Sequence, residues 1–359
     1  MNLLALKLTH FKNHAGRSFD FSGGLNGLAG LNGVGKTNVL EAIYYLCMGR
    51  SHSGLSDRQL VQHGADFFRL EGKFARMEAV EKMVVKYPVN QRKVLERDGV
   101  ELTRLSQHIG RYPVVMIAPD DVALVQEGSE DRRRFVDSAL AQSDPEYLDA
   151  LVRYQNTLKQ RNALLKSFSG QRSFDASLLE AIDRLLPQPA ALIHARRKQF
   201  AADLLPLFQE LYALLSSDRE AASFAYTSDL DQQDMASLLR ERIEKDRLLE
   251  RTTAGVHRDD LVLLLDEQPV KKFGSQGQLK TFLLALRLAQ YELLRHASGM
   301  APILLLDDVF DKLDATRVGS LIGMLVGRNY GQVFLTDTHR ERLEAVMAVE
   351  REAVVFGLG

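Results

Sequence analysis

The sequence holds a single cysteine, Cys47, in 359 residues. That excludes an internal disulfide and a cysteine-based zinc site. Proline is scarce at nine residues, about half the usual share, which favours helix. No stretch approaches about 18 uncharged apolar residues, so no membrane-spanning helix is expected. The opening run, MNLLALKLTHFKNH, is too short for a secretory signal and no small-residue cleavage site follows it. A soluble, cytoplasmic chain is the expectation. Charge of one sign is missing too, since 46 basic residues stand against 47 acidic ones. Any contact with nucleic acid must therefore come from a local patch.

What is present is the composition of a globular protein, 45% apolar and 26% charged, which excludes a disordered or collagen-like chain. At roughly 150 residues per domain the length suggests about two domains. Residues 2–9 and 18–29 read as strands, followed by a glycine-rich loop and a helix over 36–48. Segments 67–74, 82–87 and 93–97 read as an antiparallel patch with an Asp98-Gly99 hairpin signal. The run 113–121 reads as an apolar strand. From about 130 to 250 the pattern is helical, broken by Pro145, Pro187, Pro189 and Pro206 into several helices, with no sustained heptads. Strand texture returns at 259–266, 301–308 and 330–337, with a long amphipathic helix over about 277–296. The expected fold class is α/β, a mixed sheet built from both ends of the chain with an inserted, mainly helical domain. The expected division is 1–125 and 251–359 for the two parts of the α/β domain and 126–250 for the insertion.

Residues Gly30-Leu31-Asn32-Gly33-Val34-Gly35-Lys36-Thr37 form a full G-x-x-x-x-G-K-[ST] between a strand and a helix. Such glycines let backbone amides turn around a triphosphate, and the helix that follows points its N-terminal amides at the anion. Lys36 is the candidate for the β and γ phosphates of ATP, and the Thr37 hydroxyl for magnesium; Asn38 follows on the same turn. The metal needs a second acid, and the run Ile303 to Leu306 ends in Asp307 and Asp308. Asp307 is the candidate magnesium ligand and Asp308 the candidate general base. Asp120 and Asp121 occupy the region where a further metal-lining side chain would be sought. About 270 residues separate the two motifs, so something large is inserted between them.

Phe273-Gly-Ser275-Gln276-Gly277-Gln278 stands at the start of the long helix, a second anion-binding end with a hydroxyl and free amides. Its place upstream of Asp307 resembles the signature of ABC-type ATPases. Asp311-Lys-Leu-Asp314 looks like their D-loop. The resemblance implies a head-to-tail dimer closed by ATP, with Ser275, Gly277 and Asp314 of one subunit on the nucleotide of the other. One departure stands out: ABC-type heads carry a switch histidine directly after the threonine that ends the last strand. Here Thr336 is followed by Asp337, and His339 comes two residues later.

With these motifs come Gly49-Arg50-Ser51, Pro119-Asp120-Asp121, Arg132-Arg133-Arg134-Phe135-Val136-Asp137 and Gly255-Val256-His257-Arg258-Asp259-Asp260. Together they resemble the RecF family nearly end to end. Ser129 and Val256 are small departures, away from the phosphate chemistry. The resemblance implies a weak, DNA-stimulated ATPase of recombinational repair. Its ATP-closed dimer would bind duplex DNA near single-strand gaps and act with RecR and RecO to load RecA, and hydrolysis would release it. The alternative is an ABC-type ATPase subunit acting on a protein or membrane partner. The densest basic clusters, Arg132-Arg133-Arg134 and Arg196-Arg197-Lys198, are the candidate DNA contacts, with a steep salt dependence as the consequence.

Overall fold

The computed structural model describes residues 1–168, 176–216, 220–311, 315–328, 330–348 and 352–358. Two compact units emerge. The first comprises Met1–Val122, Glu210–Arg219 and Ser275–Gly359, and the second Ala123–Gln209 and Glu220–Gly274. The division falls at 122/123 and 274/275 rather than at the expected 125/126 and 250/251, because the strand at 260–265 pairs within the second unit.

The first unit is built on two sheets. In one, β1 (Asn2–Phe11), β2 (His14–Asp20), β4 (Phe67–Arg76), β5 (Ala79–Pro88), β6 (Val94–Arg97) and β7 (Val100–Glu101) pair antiparallel in the order β2-β1-β4-β5-β6-β7. In the other, β3 (Leu25–Ala29), β8 (Val114–Ile117), β12 (Ile303–Leu306), β13 (Val333–Asp337) and β14 (Ala353–Gly357) run parallel in the order β14-β3-β13-β12-β8. β8 and β12 read as continuous apolar runs because both of their faces are covered. Helix Lys36–Met48 is buried around nearly its whole circumference, and its side chains join residues of both sheets in one core. A helix apolar all round belongs in an interior. Gly35 and Gly49, both left-handed, bracket it.

The strand read over 18–29 is two strands, interrupted at Ser22-Gly23-Gly24, where the Asn26 amide donates to the carbonyls of Ser22 and Gly24. The run at 113–121 shortens to β8, after which Pro119–Val122 turns into a 3₁₀ segment. Pro119 has no N–H for the ladder.

The second unit is mainly helical, with helices Ser129–Ser143, Pro145–Phe168, Ala176–Asp183 and Met235–Leu248 and most of Pro187–Ser216. It also contains a three-stranded antiparallel sheet in the order β11-β10-β9, formed by β9 (Ala222–Thr227), β10 (Asp260–Leu265) and β11 (Gln268–Pro269). β9 corrects the reading of 130–250 as wholly helical. Its buried Ala222 and Phe224 alternate with more exposed residues, the period of a half-buried strand. Among the described residues no helix is long and apolar enough to cross a membrane.

Candidate functional site

The carboxyl ends of β3, β12 and β13 lie side by side, and open parallel sheets take their ligands at that edge. β3 runs into the glycine loop. Gly35 takes φ +101, and a side chain there would collide with Asn13 and His14. At Gly30 a Cβ would strike the Leu358 carbonyl. Asn13 donates from Nδ2 to the Gly33 carbonyl (3.2 Å), and Asn38 donates to Asn13 Oδ1 (2.8 Å). His14 lies 3.1 Å from the Gly35 carbonyl through Nε2, and burial holds its pKa below the usual value. Thus the turn after β1 buttresses the loop.

Lys36 is buried, and its ammonium donates to the loop's own carbonyls, Gly30 (2.7 Å) and Leu31 (3.2 Å). Its partners are thus backbone oxygens, and among the described residues no carboxylate is paired with it directly. The Thr37 hydroxyl donates to Asp307 Oδ2 at 2.8 Å, and the Thr336 hydroxyl donates to Asp307 Oδ1 at 2.6 Å. Thr336 Oγ1 in turn accepts the Asp308 amide at 2.9 Å. Burial raises the pKa of both acids; for Asp308 the neighbouring Asp307 charge adds to it. Asp308 takes φ +45, a rare conformation for a non-glycine residue. Lys36, Thr37, Asp307 and Asp308 are thus brought together, and Thr336, which the sequence reading did not assign, joins the two acids. No local pattern signals it, because the contact depends on the parallel register of β12 against β13.

The residues fit a magnesium nucleotide. A buried ammonium without a paired carboxylate suits an anion, and so do the helix amides that have no intrahelical acceptor. Among the described residues no group of three or more His, Cys, Asp or Glu side chains could hold a metal alone. Magnesium is commonly held by one or two protein ligands together with substrate phosphates, which matches the Thr37–Asp307 pair.

Ser275 caps helix Gln276–Ser298. Its Oγ accepts the Gln278 amide (3.3 Å), and the Gln278 side chain accepts the Ser275 amide (2.6 Å). Ser275 is exposed. Among the described residues no bond joins it to residues 30–38. The Lys280 ammonium donates to the Asp311 carbonyl, while Asp314 lies outside the described residues. Asp121 is bound by His52 (3.0 Å), Arg287 (2.9 Å) and the Ala118 amide (3.0 Å), whereas Asp120 is exposed. At the switch position, Asp337 is buried and gripped by Arg342 through both oxygens (2.5 and 2.8 Å). The His339 side chain is exposed.

The basic clusters of the second unit fare differently. Arg197 is almost fully buried, donating to Asp137, Asp259 and the Val256 carbonyl. It has no donor facing outward, so it drops out of the expected DNA-contacting set. Arg132 pairs with Asp260 (2.6 and 3.0 Å), and Arg133 donates to the Asp259 carbonyl (2.7 Å). Arg134, Arg196 and Lys198 remain exposed, each beside carboxylates: Glu130 and Asp131, Asp144 and Glu146, and Asp231. His257 is structural, with Nδ1 2.8 Å from the Tyr154 hydroxyl and Nε2 3.1 Å from the Thr252 carbonyl.

The family model described as the RecF/RecN/SMC N-terminal domain matches residues 2–355. The DNA replication and repair protein RecF of Flavobacterium johnsoniae is 43% identical over 347 residues, covering 97% of each chain. A solved structure of the recombination mediator protein RecF-ATPrS in the RecFOR pathway superposes with a TM-score of 0.88 at 27% identity, covering 100% of this chain and 96% of the other. The Smc head domain of Pyrococcus furiosus, at 16% identity and a TM-score of 0.57 over 99% of this chain and 94% of its own, shares the fold. The chain belongs to the RecF family of DNA replication and repair proteins.

Proposed function

We propose that the protein is an ATP-gated, DNA-binding dimer of recombinational repair. The observation that carries this reading is the meeting of Lys36 and Thr37 with Asp307 and Asp308, supported by the family and by the ATP-analogue relative. Residues 30–38 would hold the phosphates of ATP, with Lys36 on the β and γ groups. Thr37 and Asp307 would hold magnesium, which when bound draws charge from those phosphates. Asp308 would orient the attacking water and accept its proton. Thr336 would keep both acids aimed.

A single copy is incomplete in this reading. Ser275, Gly277 and Asp314 of a second copy would close over the nucleotide, head to tail. Leu31 is 76% exposed and Phe273 66% exposed, apolar surface that a covering partner would bury. The closed dimer would hold duplex DNA at or near gaps in the cytoplasm, partner RecR and RecO in loading RecA, and let go on hydrolysis. Hydrolysis would be slow and DNA-stimulated.

The test is steady-state ATP hydrolysis with and without gapped duplex, in the protein and in Lys36→Met. The reading predicts slow turnover that rises with duplex and is lost in the variant. Turnover indifferent to duplex would favour an ATPase subunit acting on a protein partner instead.

A further inference from the structure

Asp337 takes the position at which the sequence departs from ABC-type heads. It ends β13, pairs with Ala29 at the end of β3, and its carbonyl accepts the Gly30 amide (3.4 Å). Its carboxylate is buried and goes to Arg342 through both oxygens, Oδ2 to Nε (2.5 Å) and Oδ1 to Nη2 (2.8 Å); Oδ1 also accepts the His339 amide (2.8 Å). Bidentate pairing fixes the plane of a guanidinium as well as its place. The guanidinium carbon lies 5.7 Å from the centre of the Phe310 ring. Asp337 first, and then the nearby charges of Asp311 and Asp308, hold the Arg342 pKa above its usual value. Arg342 thus stands over the ends of β13 and β12, beside the acids that follow β12.

The helix does not need this cation. Arg342 sits in the first turn of helix Arg340–Met347, where the dipole favours acids and opposes a positive charge. Arg340, in the same turn, is answered by Glu344 four residues on (2.6 Å), an ordinary surface pair. Arg342 is answered instead by a carboxylate only 1% exposed, and such pairs add little net stability. A local rule broken without a structural return marks a functional place. The arginine side chain also stays 38% exposed, and its Nη1 has no hydrogen bond among the described residues. Two of its nitrogens are held, and one remains for another acceptor.

We propose that Arg342 is a catalytic residue that donates from Nη1 to the γ-phosphate of ATP, and that Asp337 is the positioning residue that aims it. The inference rests on the ATP-hydrolysing reading above and adds a second cation to Lys36. In the step, the water oxygen bonds to the γ phosphorus and the water proton passes to Asp308. The bond from that phosphorus to the β–γ bridging oxygen breaks, with its electron pair leaving on ADP. Arg342 makes and breaks no covalent bond. It offsets the charge spread over the γ oxygens, a part that an arginine of the same chain can play in phosphoryl transfer.

The test is steady-state ATP hydrolysis by the full chain, with ADP affinity measured in parallel. Arg342→Gln should lower kcat about 100-fold or more, with KM changed less than about three-fold and ADP binding within about two-fold. Arg342→Lys keeps the charge without the fork and should recover about ten-fold of that loss. The double variant Asp337→Asn/Arg342→Gln leaves no buried charge unpaired. It should turn over as slowly as Arg342→Gln, because the two residues act as one unit. A merely structural pair would be repaired by the double change. A double variant within about two-fold of the parent kcat, or one that loses ADP binding in step with kcat, therefore overturns the proposal, as does parent-level kcat in Arg342→Gln. The ATPase reading survives any of these if Lys36→Met abolishes turnover. If the parent hydrolyses no ATP, both fail.

Discussion

The Thr37 hydroxyl donates a 2.8 Å hydrogen bond to Asp307 Oδ2, joining two residues 270 positions apart. A threonine at the start of a helix and an acid at the end of a parallel strand are thereby brought together, and in the proposed reading they would supply the two protein ligands of a magnesium nucleotide. Thr37→Val keeps the shape and removes the hydroxyl. Magnesium should strengthen nucleotide binding by about ten-fold or more in the parent chain and have little effect in the variant. Titration of a fluorescent ATP analogue with and without magnesium checks this. An unchanged magnesium effect would remove Thr37 from the metal.

Ser275 is exposed at a helix N-terminus and makes no bond to the glycine loop of its own chain. Ser275→Arg should leave ATP binding within about two-fold, since no contact of the loop is lost. The same change should block the ATP-induced dimer, because a long cation would occupy the space of the opposing phosphate. Light scattering after size exclusion, with a non-hydrolysable analogue, reads both states. A normal dimer in the variant would contradict the head-to-tail arrangement.

Arg197 illustrates the reverse of a surface cluster. Its guanidinium neutralises Asp137 and Asp259 in the interior, where Tyr226 also donates to Asp259 (2.6 Å). Arg197→Met should cost about 3–5 kcal/mol of stability in the second unit, because the buried Asp259 and the half-buried Asp137 lose their partner. Arg134→Ala, on an exposed side chain, should cost no more than about 0.5 kcal/mol. Urea unfolding of both variants decides. A mild effect at Arg197 would mean that the interior relaxes or admits water.

Two buried histidines make stability depend on pH. Burial holds His108 and His257 down to about 4 in the folded chain, against about 6.5 when unfolded. Between these values the unfolded chain takes up protons that the folded chain refuses. Stability is therefore fully present above about pH 6.5 and falls as pH drops toward 4. The loss from pH 7.5 to 5 should be about 2 kcal/mol per histidine. His108→Gln should shrink the loss in the first unit, and His257→Gln that in the second. Urea midpoints at the two pH values test the sign. A midpoint independent of pH would refute it.

Helix Lys36–Met48 was legible to the residue, because Gly35 and Gly49 bracket an unbroken helical run. Asp307 was legible because four aliphatics precede it. Thr336 was not, since its role depends on the parallel register of β12 against β13, which no local pattern carries. Arg197 read as part of a solvated basic run. Its partners Asp137 and Asp259 lie 60 and 62 positions away, and only the fold supplies them. β9 was hidden for a related reason: a six-residue strand in a helical stretch is recognised by its pairing with β10.

In the proposed cycle, nucleotide governs DNA binding. The most direct measurement is fluorescence anisotropy of a labelled gapped duplex, titrated with the protein at fixed salt, with ATP, with ADP and without nucleotide. Tight binding that requires ATP and is lost in Lys36→Met and Ser275→Arg is the predicted result. Equal binding in all three nucleotide conditions, or none in any, would contradict the claim.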